Sequence, residues 1–146
     1  MTTQKKKITR GALLKLAEKC GSRIAHDATE VLDRDKICTL LEHAWKKAGI
    51  CFEMGVWFPE FLDGMKLNCG LYVDFLLEKR LAVMIAGSDK PRATVEEELA
   101  FCADSSLFDD AVILHFGKRF HCIPVAFNDI TCSWIKVTPP AAGRPS

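Results

Sequence analysis

The 146-residue sequence lacks most features that would assign a protein to a class at once. No apolar run approaches the roughly 20 residues that span a bilayer, since charges interrupt each one, and no signal-peptide core is present. Twenty basic residues against nineteen acidic ones give a formal net charge of +1, so no global field attracts nucleic acid or a membrane. We expect an intracellular protein that is not secreted and has no membrane partner.

The chain also lacks any Cys-x-x-Cys pair, although it contains seven cysteines. An odd number of evenly spread cysteines, mostly inside apolar runs, predicts buried free thiols in a reducing compartment. The four histidines (His26, His43, His115 and His121) have no zinc-ligand spacing to Cys38 or Cys122. A phosphate-binding glycine loop and a Gly-x-Ser-x-Gly motif are likewise missing from the sequence.

Helical periodicity dominates the first third of the chain. A first helix is predicted from an N-cap at Thr9 to a C-terminal glycine at Gly21, and a short second helix over residues 27–32. A third helix is capped by Asp35 and ends at Gly49. Its apolar stripe consists of Ile37, Leu40, Leu41, Ala44, Trp45 and Ala48.

Beyond Gly49 the apolar period changes from about 3.6 to 2, which indicates strands. Strands are predicted over residues 50–58, 69–77 and 81–87. Residues 59–68 are predicted to be a loop between the first two, and a tight turn joins the second to the third.

A helix is predicted after the third strand, because Thr94 and Glu97 stand at capping-box spacing. Its apolar face would hold Val95, Leu99, Cys102 and Ala103. Two further strands, 111–116 and 120–127, flank Gly117, which permits the turn of a hairpin.

These elements predict an α/β fold with a mixed central sheet flanked by helices. Residues 1–10 are expected to form a flexible basic arm, residues 11–137 a single domain, and the Pro/Gly/Ser-rich residues 138–146 a disordered tail. The helix after the third strand would supply a crossover within the sheet.

Three short stretches carry a resemblance to a known family. Glu42 lies in "LLEHAWKKAG", Asp74 in "YVDFLL", and Met84 and Ala86 in "AVMIAG". Over roughly residues 35 to 127 the chain resembles the restriction-endonuclease-like, or PD-(D/E)XK, superfamily, in particular its GxxExxY and resolvase-like members. The resemblance implies a restriction-endonuclease-like core with extra N-terminal helices, in which Met84 and Ala86 replace the family's Glu-x-Lys.

The replaced positions decide what chemistry the resemblance allows. Two-ion phosphodiester cleavage needs carboxylates on adjacent strands and a lysine beside them. Asp74, sharing a face with Tyr72 and Leu76, would look across at Met84 and Ala86, and neither a thioether nor a methyl group binds a hard cation. We therefore expect a degenerate catalytic and metal site with Asp74 and Glu42 as remnants, and no cofactor.

An active nuclease would require migrated groups and Mg²⁺ or Mn²⁺. Candidates on the following helix are Lys90, Glu96, Glu97 and Glu98. The alternative for Asp74 is a strand acid satisfied by backbone amides or by a nearby cation. The alternative for Glu42 is a solvated helix surface, because it points away from the apolar stripe of its helix.

Basic residues cluster in three places that could contact phosphates. They are Lys5, Lys6, Lys7 and Arg10 in the arm, Lys46 and Lys47 at a helix end, and Lys118 and Arg119 at a turn. Such contacts produce salt-dependent affinity with little sequence preference. Nucleic-acid binding is therefore the leading functional hypothesis, although a helix dipole alone also explains lysines at a helix end.

The competing hypothesis is a protein-interaction module on the same scaffold, acting in an assembly or as an inhibitor. Trp57, Phe58 and Phe61 around Pro59 would form either an exposed aromatic patch or part of the core. The first thirty residues are also similar to the start of a histone fold, with Arg23 in its first loop. The alternative is an amphipathic helix that packs on the sheet or on a partner; the oligomeric state stays open.

Overall fold

A computed structural model of the chain describes residues 8–29, 31–100, 107–128, 130–131 and 133–136. Its helices are α1 (Arg10–Asp27), α2 (Arg34–Lys47) and α3 (Arg92–Ala100). Its strands are β1 (Phe52–Leu62), β2 (Met65–Leu77), β3 (Leu81–Ala86), β4 (Asp110–Phe116), β5 (Phe120–Asn128) and β6 (Ser133–Lys136). No helix in these residues is long and apolar enough to cross a membrane.

The strands form one mixed sheet in the order β1 to β6. Neighbouring strands are antiparallel except β3 and β4, which are parallel and joined through α3. The predicted α/β fold with a mixed sheet is confirmed. The short strand β6 was not predicted, because four residues show too little alternation to reveal a strand.

Each face of the sheet has its own apolar core. The α1–α2 core contains Leu13, Ala17, Ile37, Leu41 and Trp45 from the helices, packed on Phe75, Leu77, Val83, Ile85 and Leu114. The α3 core contains Val95 and Leu99 of α3 with Leu71, Val73, Met84, Ala86, Ile113 and Trp134. Strand β3 is buried along its whole length because it contributes to both cores.

The loop predicted over residues 59–68 is wrong, since β1 and β2 continue into one long hairpin. Its turn is Asp63–Gly64, where both residues have positive φ, 51° and 79°. This backbone matches the right-handed twist of a hairpin, and Asp-Gly favours it. Pro59 fits inside β1 because β1 is an edge strand of the described sheet.

Helix α1 begins as predicted, with the Thr9 hydroxyl accepting a bond from a backbone amide, but it does not end at Gly21. Gly21 is buried within α1, and a Cβ there would lie 2.6 Å from Cζ of Phe120. The glycine therefore serves close packing on β5. The described residues between α1 and α2 are not helical, so the short helix over 27–32 is wrong. Arg23 lies inside α1, which excludes the histone-like loop.

The other helix starts also differ by a few residues. Helix α2 is capped by Asp33, whose side chain accepts a bond from the amide of Lys36, and not by Asp35. Helix α3 begins at Arg92, ahead of the predicted capping box at Thr94. The predicted end of α2 at Gly49, with φ of +72°, is confirmed. The Lys5–Lys7 arm, the 138–146 tail, Cys102 and Ala103 lie outside the described residues.

Candidate functional site

Asp74 lies in β2 at the point where the buried side chains of the strand switch from one apolar core to the other. Leu71 and Val73 belong to the α3 core, whereas Phe75 and Leu77 belong to the α1–α2 core. The regular alternation of a strand is therefore broken at Asp74, which is 7% exposed. Gly55 lies across from it in β1 with a φ of +63°.

The carboxylate of Asp74 bonds to protein groups through both oxygens. Oδ2 accepts from the amide of Ile85 at 2.8 Å, and Oδ1 accepts from Nη1 of Arg34 at 2.7 Å. The carbonyl of Ile85 in turn accepts from Nη2 of Arg34 at 2.7 Å. The β2–β3 ladder ends at the pair Phe75 and Val83, so the Asp74–Arg34 pair satisfies the backbone of Ile85 where β2 no longer does.

Arg34 also joins this site to the loop after β3. Its Nε donates to Asp89 Oδ2 at 2.6 Å. That hydrogen bond holds the pKa of Asp89 below its usual value. Burial lowers the pKa of Arg34, but its bond to Asp89 and the charge of Asp74 outweigh burial and leave the pKa raised. The first residue of α2 is thus fixed as a permanent cation between two strands and a loop.

The side chain of Asp74 binds α2, which covers the α1–α2 core, whereas Met84 and Ala86 lie in the α3 core on the opposite face. The expectation that Asp74 looks across at Met84 and Ala86 is therefore wrong. The alternative, a strand acid satisfied by a backbone amide and a cation, describes what the structure contains.

The other predicted acids do not join Asp74. Glu42 pairs with Lys46 at 3.1 Å on the surface of α2. Lys90 pairs with Glu98 at 2.7 Å. Within the described parts of the chain, no three His, Cys, Asp or Glu side chains group as a metal site would require.

The predicted basic clusters are dispersed. Arg10 is committed to a bidentate pair with Asp110 at the start of β4, whereas Lys118 and Arg119 follow the end of that strand. A seven-residue strand is about 23 Å long, so these clusters lie at opposite ends of the sheet. Lys5, Lys6 and Lys7 lie outside the described residues.

The proposed aromatic patch is divided in the same way. Trp57 is 46% exposed and is paired across the hairpin with Tyr72, which is also exposed. Phe58 instead packs against the α3 core, with its ring 5.8 Å from that of Phe108. The side chain of Phe61 lies outside the description.

A groove of about 630 Å³ lies between α1 and α2 and is called here the α1–α2 groove. Its apolar lining comes from Leu16, Cys20, Ile24, Leu32, Leu40 and Ala44. Leu40, from the predicted apolar stripe, remains 41% exposed because the sheet covers only Ile37, Leu41 and Trp45 of that helix.

The rim of the α1–α2 groove is basic. Its cationic lining residues are Lys19, Arg23, Lys36 and Lys47, and His43 lies among them. The lining includes one acid, Asp27, which is 4.0 Å from Arg23. Of this set, sequence reasoning predicted only Lys47 as a phosphate contact, although Lys19 and Arg23 are four residues apart and Lys36, His43 and Lys47 share one face of α2.

A second cavity, of about 690 Å³, lies at the carboxyl ends of the parallel strands. Its polar lining includes Ser88, His115 and Lys118. Burial, with Arg92 and His121 nearby, lowers the pKa of His115.

Searches of protein-family models, curated proteins and solved structures return no match to the chain. The resemblance to the PD-(D/E)XK superfamily therefore stays a prediction that depends on Glu42, Asp74 and the order of elements around them. The described features that bear on function are the Asp74–Arg34 pair, the α1–α2 groove and the cavity beside His115.

Proposed function

We propose that the protein is a non-catalytic protein-interaction module of the cell interior, with the α1–α2 groove as its recognition surface. The observation that carries the proposal is the groove itself, where Leu40 of α2 is 41% exposed and Leu16, Cys20 and Ile24 of α1 are only partly buried. Concave apolar surfaces of this size commonly bind ligands or partner segments. The four described unpaired cysteines, Cys20, Cys38, Cys51 and Cys122, agree with a reducing compartment.

The absence of catalysis is proposed from the state of Asp74. A divalent cation at Oδ1 would lie beside the guanidinium of Arg34, which binds the same oxygen, and the two cations would repel each other at close range. At Oδ2 it would compete with the hydrogen bond from the amide of Ile85. Descent from a nuclease of the PD-(D/E)XK type is proposed for the scaffold, supported by the position of Asp74 on the second strand of the hairpin.

Nucleic-acid binding is the second candidate function, favoured by the four cations around the groove. Phosphate contacts would give an affinity that falls steeply with salt, whereas an apolar interface would be much less sensitive to it. Apolar lining residues such as Leu40 have no role in phosphate binding, which places this candidate second.

Two experiments test the proposed function. In the first, labelled single- and double-stranded nucleic acids are titrated at low and high salt, with and without Mg²⁺ or Mn²⁺. We expect no cleavage under any condition, and only weak binding that high salt abolishes. Cleavage that disappears in Asp74→Ala, shown by circular dichroism to be folded, would establish a nuclease, and tight, salt-sensitive binding at physiological salt without cleavage would put nucleic acid first.

The second experiment asks whether the groove accepts apolar ligands. An anionic solvatochromic dye, 8-anilinonaphthalene-1-sulfonate, is titrated into the protein and into Leu40→Asp. The matched control is Met54→Asp, because Met54 is exposed to a similar extent, 45% against 41%, but lies on β1. We expect Leu40→Asp alone to weaken dye binding. Equal effects of the two variants, or no dye binding, would contradict the proposed function.

A further inference from the structure

We propose that the occupant of the α1–α2 groove is an acidic amphipathic helix of a partner protein. This inference rests on the proposed function and names the chemistry of the partner. It follows from the shape of the groove, the charge of its rim and the composition of the chain's own remaining segments.

The shape of the groove suits a third helix. Helix α1 begins beside Asp110 at the start of β4, and α2 begins beside Ile85 near the end of β3. Since β3 and β4 are parallel, the two helices run in opposite directions. A helix lying between two others presents residues at i, i+3, i+4 and i+7 to them. The 14 residues of α2 extend about 21 Å, which corresponds to about four turns of a partner helix.

The apolar residues that line the groove lie where the apolar face of a partner helix would contact them. Leu16 and Ile24 contribute from α1, and Leu40 and Ala44 from α2, while Leu32 closes the groove near the start of α2. Burying these groups against leucine side chains would remove their apolar area from water, at about 25 cal/mol for each Å². A nucleic-acid backbone has no comparable apolar stripe, so it would leave this lining exposed.

The rim determines the charge of the partner. Four basic side chains and one acid line the groove, whereas basic and acidic residues nearly balance over the whole chain, at +1. Carboxylates on the flanks of a partner helix would meet Lys19 and Arg23 on one side and Lys47 on the other. Such complementarity accelerates association and excludes basic partners.

Segments of this chain do not have the required composition. Residues 1–7 contain three lysines and no acid, and residues 137–146 contain one arginine and no acid. Helix α3 does carry Glu96, Glu97 and Glu98, but its apolar residues Val95 and Leu99 are already buried in the α3 core. A separate protein is therefore a better occupant than any of these three segments, whether from the same chain or from a second copy.

The test uses fluorescence anisotropy with three labelled synthetic peptides of about 18 residues, long enough to match the helices. The first has leucines at helical i, i+3, i+4 and i+7 spacing with glutamates on its other faces. The second replaces each glutamate with lysine. The third has the composition of the first with the leucines dispersed around the helix, so that no apolar stripe forms.

We expect the acidic amphipathic peptide to bind about tenfold or more tightly than either of the other two. Leu40→Asp should weaken its binding about tenfold, and Met54→Asp should leave it unchanged. Lys47→Glu, a surface change that retains the apolar lining, should weaken binding severalfold and reduce its salt dependence. Circular dichroism and urea unfolding of each variant verify that it is folded.

The possible results separate this inference from the proposed function. Equal or tighter binding of the lysine peptide, or insensitivity to Leu40→Asp, would overturn the acidic-helix inference, while dye binding at the groove would still support the module. Light scattering that shows a dimer broken by Leu40→Asp would identify a second copy as the occupant and also overturn it. Competition of nucleic acid with the acidic peptide at physiological salt would likewise overturn the acidic-helix inference. Failure of both dye and peptides to bind would contradict the proposed function itself.

Discussion

Replacement of Asp74 by alanine should destabilise the protein substantially, because the carboxylate acts in the architecture of the sheet. The substitution removes the acceptor of the Ile85 amide and one partner of Arg34. Arg34 would remain between β3 and the loop after it, bonded to Asp89 and to the carbonyl of Ile85. The substitution therefore removes one hydrogen bond to a backbone amide and one ion pair, whereas the other contacts of Arg34 remain.

The expected magnitude follows from these two contacts. An amide left without an acceptor in a buried position costs about 1–3 kcal/mol. Removing one partner of a fully buried ion pair costs about 3–5 kcal/mol, but Arg34 is 24% exposed and keeps Asp89, so this contribution is smaller. We expect Asp74→Ala to lower the free energy of unfolding by about 2–4 kcal/mol, out of a total of about 5–15 kcal/mol. Asp74→Asn, which keeps an acceptor, should cost about half as much.

Urea unfolding followed by circular dichroism measures the effect, with Asp89→Ala as the matched control. Asp89 pairs with the same guanidinium, but its side chain is 51% exposed. Its removal should cost less than about 1 kcal/mol.

A carboxylate kept for metal binding gives the opposite result. Its removal from a metal-free protein is often neutral or stabilising, because functional groups are retained at a cost in stability. If the free energy of unfolding of Asp74→Ala lies within about 0.5 kcal/mol of that of the original protein, or above it, the architectural role of Asp74 is refuted.

Three further predictions concern packing, pH and thiols. Gly11→Ala should stabilise α1 by up to about 1 kcal/mol, since nothing lies within 4 Å of the new Cβ. Gly21→Ala should instead destabilise the protein by about 1–3 kcal/mol through overpacking against Phe120. Equal urea midpoints for the two variants would contradict the close contact of α1 with β5. Burial lowers the pKa of His115 from 6.5, so below that pH the unfolded chain binds more protons than the folded protein. The contribution of the neutral imidazole to stability is therefore present above pH 6.5 and lost on acidification. His115→Gln should reduce the difference in unfolding free energy between pH 8 and pH 5, and an unchanged difference would contradict this prediction. Iodoacetamide followed by mass spectrometry should modify the exposed Cys51 well before Cys122, because burial raises the pKa of Cys122 to about 12; faster modification of Cys122 would refute its placement.

The regular parts of the fold follow from local patterns. The apolar stripe of α2, the changed period after Gly49 and the hairpin around Gly117 were predictable from spacing alone, because each element buries one face. The Asp63–Gly64 turn was also readable in principle, since Asp-Gly is a strong hairpin pattern, but Pro59 favoured a loop. Pro59 is tolerated within β1 because β1 is an edge strand of the described sheet, and the edge position is a property of the whole sheet.

Features that depend on distant contacts were not predictable. Gly21 has the appearance of a helix end, and its real role depends on Phe120, about a hundred residues later. The partner of Asp74 is Arg34, forty residues earlier, and strand alternation placed the carboxylate on the wrong face because the alternation breaks at that residue. The α1–α2 groove likewise requires the relative placement of two helices, although each helix shows its own basic and apolar positions.

Hydrogen exchange of the protein with and without saturating acidic amphipathic peptide tests whether the α1–α2 groove is the recognition surface. We expect slower exchange of the amides in α1 and α2 on peptide binding, with the β1–β2 hairpin and the β4–β5 turn unchanged. Slower exchange confined to that hairpin or to that turn, with α1 and α2 unaffected, would contradict it.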